Sequence, residues 1–181
     1  DYLSDSDSSS PEFDEDTASA LERFLEELTV FWPVPGASLT VRAPDGSLYE
    51  AVIGKASLQE SIPMTIDARF RVGSNTKMMI AAVLMQLVDE GLLSLDDDLT
   101  VYLPDYEKWA GSTVENLVAM NSGIPDFLSN QTVAGTMLLD RGAYWTPEEI
   151  LAEVYKEDLL YEPGGDGIYS DSNTLLLGLI I

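Results

Sequence analysis

Apolar residues recur at helical spacing at Leu21, Phe24, Leu25 and Leu28 and predict an amphipathic helix over 17–28. Trp32-Pro33-Val34-Pro35-Gly36 interrupts it. Residues 37–43 and 48–53 read as strands, joined into a hairpin by the turn Pro44-Asp45-Gly46-Ser47. Residues 56–68 read as loop and Phe70-Arg71-Val72 as a short extended entry to Gly73. A helix is expected from about 75 to 90, stopped by Gly91. It is apolar nearly all round from Met78 to Val88, which predicts a buried core helix. Residues 92–103 form a connector in which Asp96-Asp97-Asp98 reads as a solvated face. A short helix at 114–120 runs into a turn from Asn121 to Asp126. Thr146-Pro147-Glu148-Glu149 carries a capping box and opens a helix to about Tyr155. After a tight loop from Glu162 to Gly167, Ser172 or Asn173 begins a final apolar helix. That helix has no terminating cap at Ile181. The domain is therefore expected to continue, in further sequence or in a second chain.

Composition narrows the chemistry. Residues 1–16 hold Asp, Glu and Ser but no basic residue and read as a solvated, disordered tail. The Asp5-Ser6-Asp7 start faintly resembles a calcium loop, but Ser10 stands where such a loop needs Gly. Nine basic residues against 32 acidic ones leave a net charge of −23, which excludes a basic footprint for nucleic acid and disfavours anionic membranes. No apolar run reaches membrane-spanning length. The start Asp1-Tyr2-Leu3-Ser4 suggests a mature or trimmed form, with an extracellular or periplasmic site of action expected. Asn130-Gln131-Thr132 fits a glycosylation sequon. The chain has no His and no Cys. A Ser-His-Asp triad, thiol catalysis, disulfides and the usual zinc sites are therefore excluded. A nucleophilic mechanism must draw its base from Lys, Tyr or a carboxylate, with no cofactor and no metal expected.

Ser74-Asn75-Thr76-Lys77 meets that requirement. Ser-x-x-Lys at a helix start puts both side chains on one face, one turn apart. A Ser hydroxyl needs a base to become a nucleophile. Burial at the head of an apolar helix penalises an ammonium and would let Lys77 serve. Backbone N–H groups at the helix start would face a developing oxyanion. By spacing alone the pattern is more often that of a capping Ser followed by a surface Lys. Context favours the chemical reading, because Lys77 sits beside Met78, Met79 and Ile80 and is the only charged residue between Arg71 and Asp89.

Phe70-Arg71-Val72-Gly73-Ser74-Asn75-Thr76-Lys77, with Asp89-Glu90-Gly91-Leu92-Leu93-Ser94-Leu95-Asp96-Asp97 after the helix, resembles the serine β-lactamase-related family. That family contains class C β-lactamases, D-alanyl-D-alanine carboxypeptidases, D-aminopeptidases and esterases. Met120-Asn121-Ser122-Gly123-Ile124-Pro125-Asp126 is similar to its Thr-Ser-Gly-(Leu/Ile)-Pro-Asp turn. Tyr169-Ser170-Asp171 is similar to its Tyr-x-Asn segment, with Asp171 departing from the usual Asn. The resemblance runs from about Thr17 to Ile181.

The resemblance implies an α+β fold of the β-lactamase/DD-peptidase type, an antiparallel sheet flanked by helices plus a helical domain. The N-terminal part would occupy 17–181, with the hairpin at 37–53 and the helical region at 74–181. It implies Ser74, Lys77 and Tyr169 as catalytic residues, and Asp171, Asn121 and Ser122 as substrate-binding or orienting groups. The substrate would be a small peptide, ester or β-lactam. A D-alanyl-D-alanine carboxypeptidase or D-amino-acid peptidase is expected first, an esterase or β-lactamase after it. Asp171 keeps an acceptor oxygen, loses the amide donor, and would raise the Lys77 pKa. That moves the base role toward the Lys77–Tyr169 pair and leaves a catalytically silent, penicillin-binding-like module as the alternative. The family's late Lys/His-Ser/Thr-Gly motif is not found before Ile181.

Overall fold

A computed structural model describes residues 13–140 and 142–181. The Asp5-Ser6-Asp7 segment and most of the acidic stretch over 1–16 lie outside the described residues. The chain divides into two compact units, Asp1–Arg71 and Val72–Ile181.

In the first unit, helix α1 (Glu15–Phe31) starts two residues earlier than its pattern suggests, because the Asp14 carboxylate accepts from Thr17 N at 2.9 Å. It packs against strands β1 (Gly36–Arg42) and β2 (Leu48–Ser57), antiparallel with Val41 opposite Tyr49. The turn is pinned by Asp45, whose Oδ1 accepts from Ser47 N at 2.9 Å. A two-residue strand β3 (Ile62–Pro63) pairs with the end of β2, inside the stretch expected to be loop. Leu25 alone of α1 is buried, while Phe24 and Leu28 of its expected inner face are exposed.

The second unit is helical. Its elements are α2 (Asn75–Asp89), α3 (Val114–Val118), α4 (Gln131–Leu139), α5 (Pro147–Val154) and α6 (Asp171–Ile180), with short 3-10 turns at Leu99–Val101, Pro104–Trp109 and Phe127–Ser129. The core joins Leu84 of α2 to Leu93, Leu99, Trp109, Leu117, Leu151 and Leu176. The Trp109 ring stacks on Tyr106 at 5.3 Å and meets Tyr155 edge-on at 5.0 Å. The Thr146–Glu149 capping box forms as expected and ends the chain's approach to α5.

Three expectations change. Helix α2 is not buried all round: Leu84 is fully buried, with Ile80, Leu87 and Val88 beside the core, whereas Met78, Met79 and Met85 are exposed. An all-apolar helix has no periodicity from which to read its inner face. Asp97 and Asp98 are not simply solvated. Asp98 accepts from Thr100 N and Gly111 N, and Asp97 from Ser94 N and the Tyr102 hydroxyl, so both tie the connector to its neighbours. Asn130 is 8% exposed and caps α4 through Thr132 N and Val133 N, while its amide donates to Glu157. Its place as a buried cap argues against use of the sequon. Among the described residues no helix is long and apolar enough to cross a membrane.

The two faces of α2 separate in a denaturation experiment. Leu84→Ala should cost about 2–5 kcal/mol by leaving a core cavity. Met79→Ala should stay within about 0.5 kcal/mol. Equal losses in urea titrations of the two variants would show that the methionine face is covered.

Candidate functional site

Gly73 takes a positive φ of 53° and turns the chain into α2. Ser74 follows in helical conformation, and its side chain makes no capping bond. The capping alternative for this Ser is therefore not what the fold uses. Its hydroxyl instead lies 2.8 Å from the Tyr169 hydroxyl and accepts from Lys77 Nζ at 3.3 Å. Asp171 is the first residue of α6, and its Oδ1 is ion-paired with Lys77 Nζ. The Tyr169 hydroxyl also donates to that oxygen at 3.3 Å, and Lys77 Nζ sits 4.8 Å from the centre of the Tyr169 ring. Ser74, Lys77, Tyr169 and Asp171, expected from sequence, thus form one hydrogen-bonded cluster built by the heads of two helices.

The electrostatics of Lys77 follow the expectation drawn from Asp171, not the one drawn from burial alone. Burial pulls its pKa down, but the hydrogen bond and charge of Asp171, with those of Tyr169, outweigh burial and leave it above the ordinary 10.5. Lys77 is an ammonium, able to donate to Ser74 and to stabilise negative charge. The backbone donors also differ from expectation. Asn75 N, Thr76 N and Lys77 N bond to the carbonyls of Val72, Gly73 and Ser74, leaving Ser74 N without a partner among the described residues. Ser74 N is the helix-start donor still available to an oxyanion.

Asn121 and Ser122 lie in the loop that supports this cluster. Asn121 Oδ1 accepts from Asn116 Nδ2 at 3.1 Å, and its carbonyl accepts from Gly164 N. Ser122 is 1% exposed; its hydroxyl donates to Asn173 Oδ1 at 2.7 Å and accepts from Ile124 N. Gly123, at φ 78°, passes so close to the Tyr161 carbonyl that a Cβ would collide with it. Neither Asn121 nor Ser122 lines the cavity beside Ser74. Ser122 holds the loop against α6, and Asn121 ties it to α3 and to the Gly164 turn.

That loop brings in residues the sequence reading passed over. Asp126 Oδ1 accepts from Asp171 N at 3.1 Å and so fixes the start of α6. Ser172 Oγ donates to Pro125 O at 2.7 Å and accepts from Phe127 N at 2.9 Å. A cavity of about 280 Å³ is lined by Ser74, Lys77, Asp171, Phe127, Thr174 and Leu175, among others. The position of Thr174, three residues past Asp171 on a helix, was a usable signal for its share in the cavity. Asp126 stands out in the sequence only as the end of the Asn121–Asp126 turn, without a role, and nothing local marks Phe127.

Comparison with known proteins gives the family and the fold. The Beta-lactamase family model matches residues 24–181. A D-aminopeptidase of Brucella anthropi is 28% identical over 170 residues, which cover 90% of this chain and 31% of that protein. The D-amino acid amidase of Ochrobactrum anthropi SV3 superposes with a TM-score of 0.76 at 31% identity, covering 90% of this chain and 43% of that one. A class C β-lactamase shares the fold, with a TM-score of 0.74 at 24% identity over 94% of this chain and 45% of that one. The chain spans about a third of the length of the curated relatives it matches. The fold is that of the β-lactamases and DD-peptidases in part, and the chain belongs to the Beta-lactamase family, whose members in this comparison are serine hydrolases that include amidases, peptidases and β-lactamases.

Proposed function

We propose that this protein is a serine acyl hydrolase that forms an acyl-enzyme on Ser74, with a D-amino-acid amide or peptide as its first substrate class. The observation that carries this reading is the 2.8 Å contact between the Ser74 and Tyr169 hydroxyls, with Lys77 bonded to the Ser74 oxygen. Ser74 Oγ attacks the scissile carbonyl carbon while its proton passes to the Tyr169 oxygen. Tyr169 gives its own proton to the departing nitrogen or oxygen, so the hydroxyl is regenerated as the acyl bond forms. The Lys77 ammonium and Ser74 N stabilise the negative charge that develops. Water then attacks the ester; its proton moves to Tyr169, and the Tyr169 proton returns to Ser74 Oγ.

Asp171 keeps Lys77 charged and in place, which supports a donor role for Lys77 and a shuttle role for Tyr169. The D-aminopeptidase and D-amino acid amidase relatives favour amide substrates over β-lactams.

Two experiments follow from this assignment. The purified protein treated with p-nitrophenyl acetate or a fluorophosphonate should gain one acyl or phosphonyl adduct by intact mass. Ser74→Ala should remove the adduct, and Tyr169→Phe should slow its formation about 100- to 10 000-fold. No adduct with either reagent would favour a silent binding module. The second is a stability measurement. Because the folded pKa of Lys77 lies above its ordinary 10.5, the stabilisation it brings is fully present below that value and is lost as pH rises through the folded pKa. The difference in unfolding free energy between wild type and Lys77→Met should therefore show no lysine titration between roughly pH 7 and 9 and should shrink above roughly pH 10.5. A difference that titrates near neutrality would contradict a charged Lys77.

A further inference from the structure

Tyr169 brings its hydroxyl to Ser74 from a loosely tied segment. Tyr169 is 51% exposed and Ile168 before it 50%, so packing restrains neither closely. The run Gly164-Gly165-Asp166-Gly167 leads into them, and its glycines have the widest backbone freedom of any residue. Among the described residues, 166–169 make no backbone–backbone hydrogen bond. Yet the Tyr169 hydroxyl meets the Ser74 oxygen at 2.8 Å. Groups outside the segment must therefore fix it. On its C-terminal side Ser170 is buried and Asp126 holds Asp171 N. On its N-terminal side one bond does this work: Ile168 N donates to the Tyr161 hydroxyl at 3.0 Å.

Tyr161 is itself a fixed post. Its carbonyl lies directly against Gly123, and Leu160 N donates to Gly123 O at 2.8 Å. Its hydroxyl, besides accepting from Ile168, donates to Met120 O at 3.5 Å. Its ring borders Gly165 so closely that a Cβ there would stand 2.9 Å from Tyr161 Cδ2. Backbone, ring and hydroxyl are thus tied to the turn around Met120 and Gly123, which the Ser122–Asn173 bond joins to α6. The same turn ends in Asp126, so both anchors of Tyr169 hang on one rigid frame. Tyr161 does not line the cavity beside Ser74. Any part it plays in the reaction runs through Tyr169.

We infer that Tyr161 is the positioning residue of Tyr169: by accepting from Ile168 N, its hydroxyl sets where the Tyr169 hydroxyl stands relative to Ser74. The inference rests on the acyl-enzyme reading and names the device that aims its proton shuttle. A misplacement of about 1 Å in a reacting group costs about 100-fold in rate, so loosening one of two anchors is felt in the reaction before it is felt in the fold. A bond that only satisfied a loop amide would matter equally whether or not residue 169 carries a hydroxyl. A bond that aims the hydroxyl matters to the rate only while the hydroxyl is there.

The test is a double-mutant cycle on the purified protein with p-nitrophenyl acetate, acylation of Ser74 being followed by intact mass. Tyr161→Phe removes the hydroxyl and keeps the ring. It should slow acylation about tenfold at saturating ester and leave the half-saturating concentration within about twofold. In the Tyr169→Phe background the same change should alter the residual rate by less than about twofold. Gly165→Ala crowds the Tyr161 ring with both hydroxyls intact, and it should slow acylation in the same way. A wild-type rate in Tyr161→Phe, an equal fold-loss in both backgrounds, or a loss confined to the half-saturating concentration overturns the inference while leaving the acyl-enzyme in place. Failure of p-nitrophenyl acetate to acylate the wild type overturns the acyl-enzyme reading, and the inference falls with it.

Discussion

The ion pair between Lys77 and Asp171 is the constraint on which the site depends. It joins the first turn of α2 to the first residue of α6, two segments 94 residues apart in the chain. The pair sits with side chains 18% exposed, where Coulomb attraction is less screened than at an open surface. Its consequence is chemical as well as structural. An ammonium held by a carboxylate cannot readily give up its proton, so in the proposed mechanism Lys77 acts by donation and charge, and the proton traffic of Ser74 falls to the Tyr169 hydroxyl 2.8 Å away. A buried ion pair is weak evidence of net stabilisation, because desolvation opposes attraction. Its value here lies in fixing where Ser74, Lys77 and Tyr169 meet.

The supporting shell is polar and buried. Ser122, Ser172 and Asn173 are each 1% exposed or less, and each finds a partner: Ser122 with Asn173, Ser172 with Pro125 and Phe127. A satisfied network of this kind has few alternative arrangements, since moving any member leaves a buried group unpaired. It locks the Met120–Phe127 segment onto α6, and through Asp126 it holds the Asp171 backbone. The geometry of the reactive cluster is thus set by residues that do not touch it.

Family membership and local chemistry reach different depths. The match over residues 24–181, and the superposition on a D-amino acid amidase, establish what kind of domain this is. They do not explain why Asp stands at 171. In the structure that carboxylate pairs with the Lys77 ammonium through Oδ1.

The sequence by itself pointed to the candidate chemistry and its local frame. Absence of His and Cys removed the usual bases and nucleophiles, and Ser-x-x-Lys ahead of an apolar helix identified what was left. Capping at Thr146, the turn at Asp45 and the strand pair around it were legible because they depend on residues a few positions apart. Tertiary structure decided what depends on distant partners. It chose which face of α2 meets the core, since an all-apolar helix carries no period to read. It turned Asp97, Asp98 and Asn130 from surface groups into caps and ties. The rise in the Lys77 pKa was implied by the resemblance, which set Asp171 beside it; the packing of α6 against α2 puts that carboxylate on Nζ, where it outweighs a burial penalty legible in the helix.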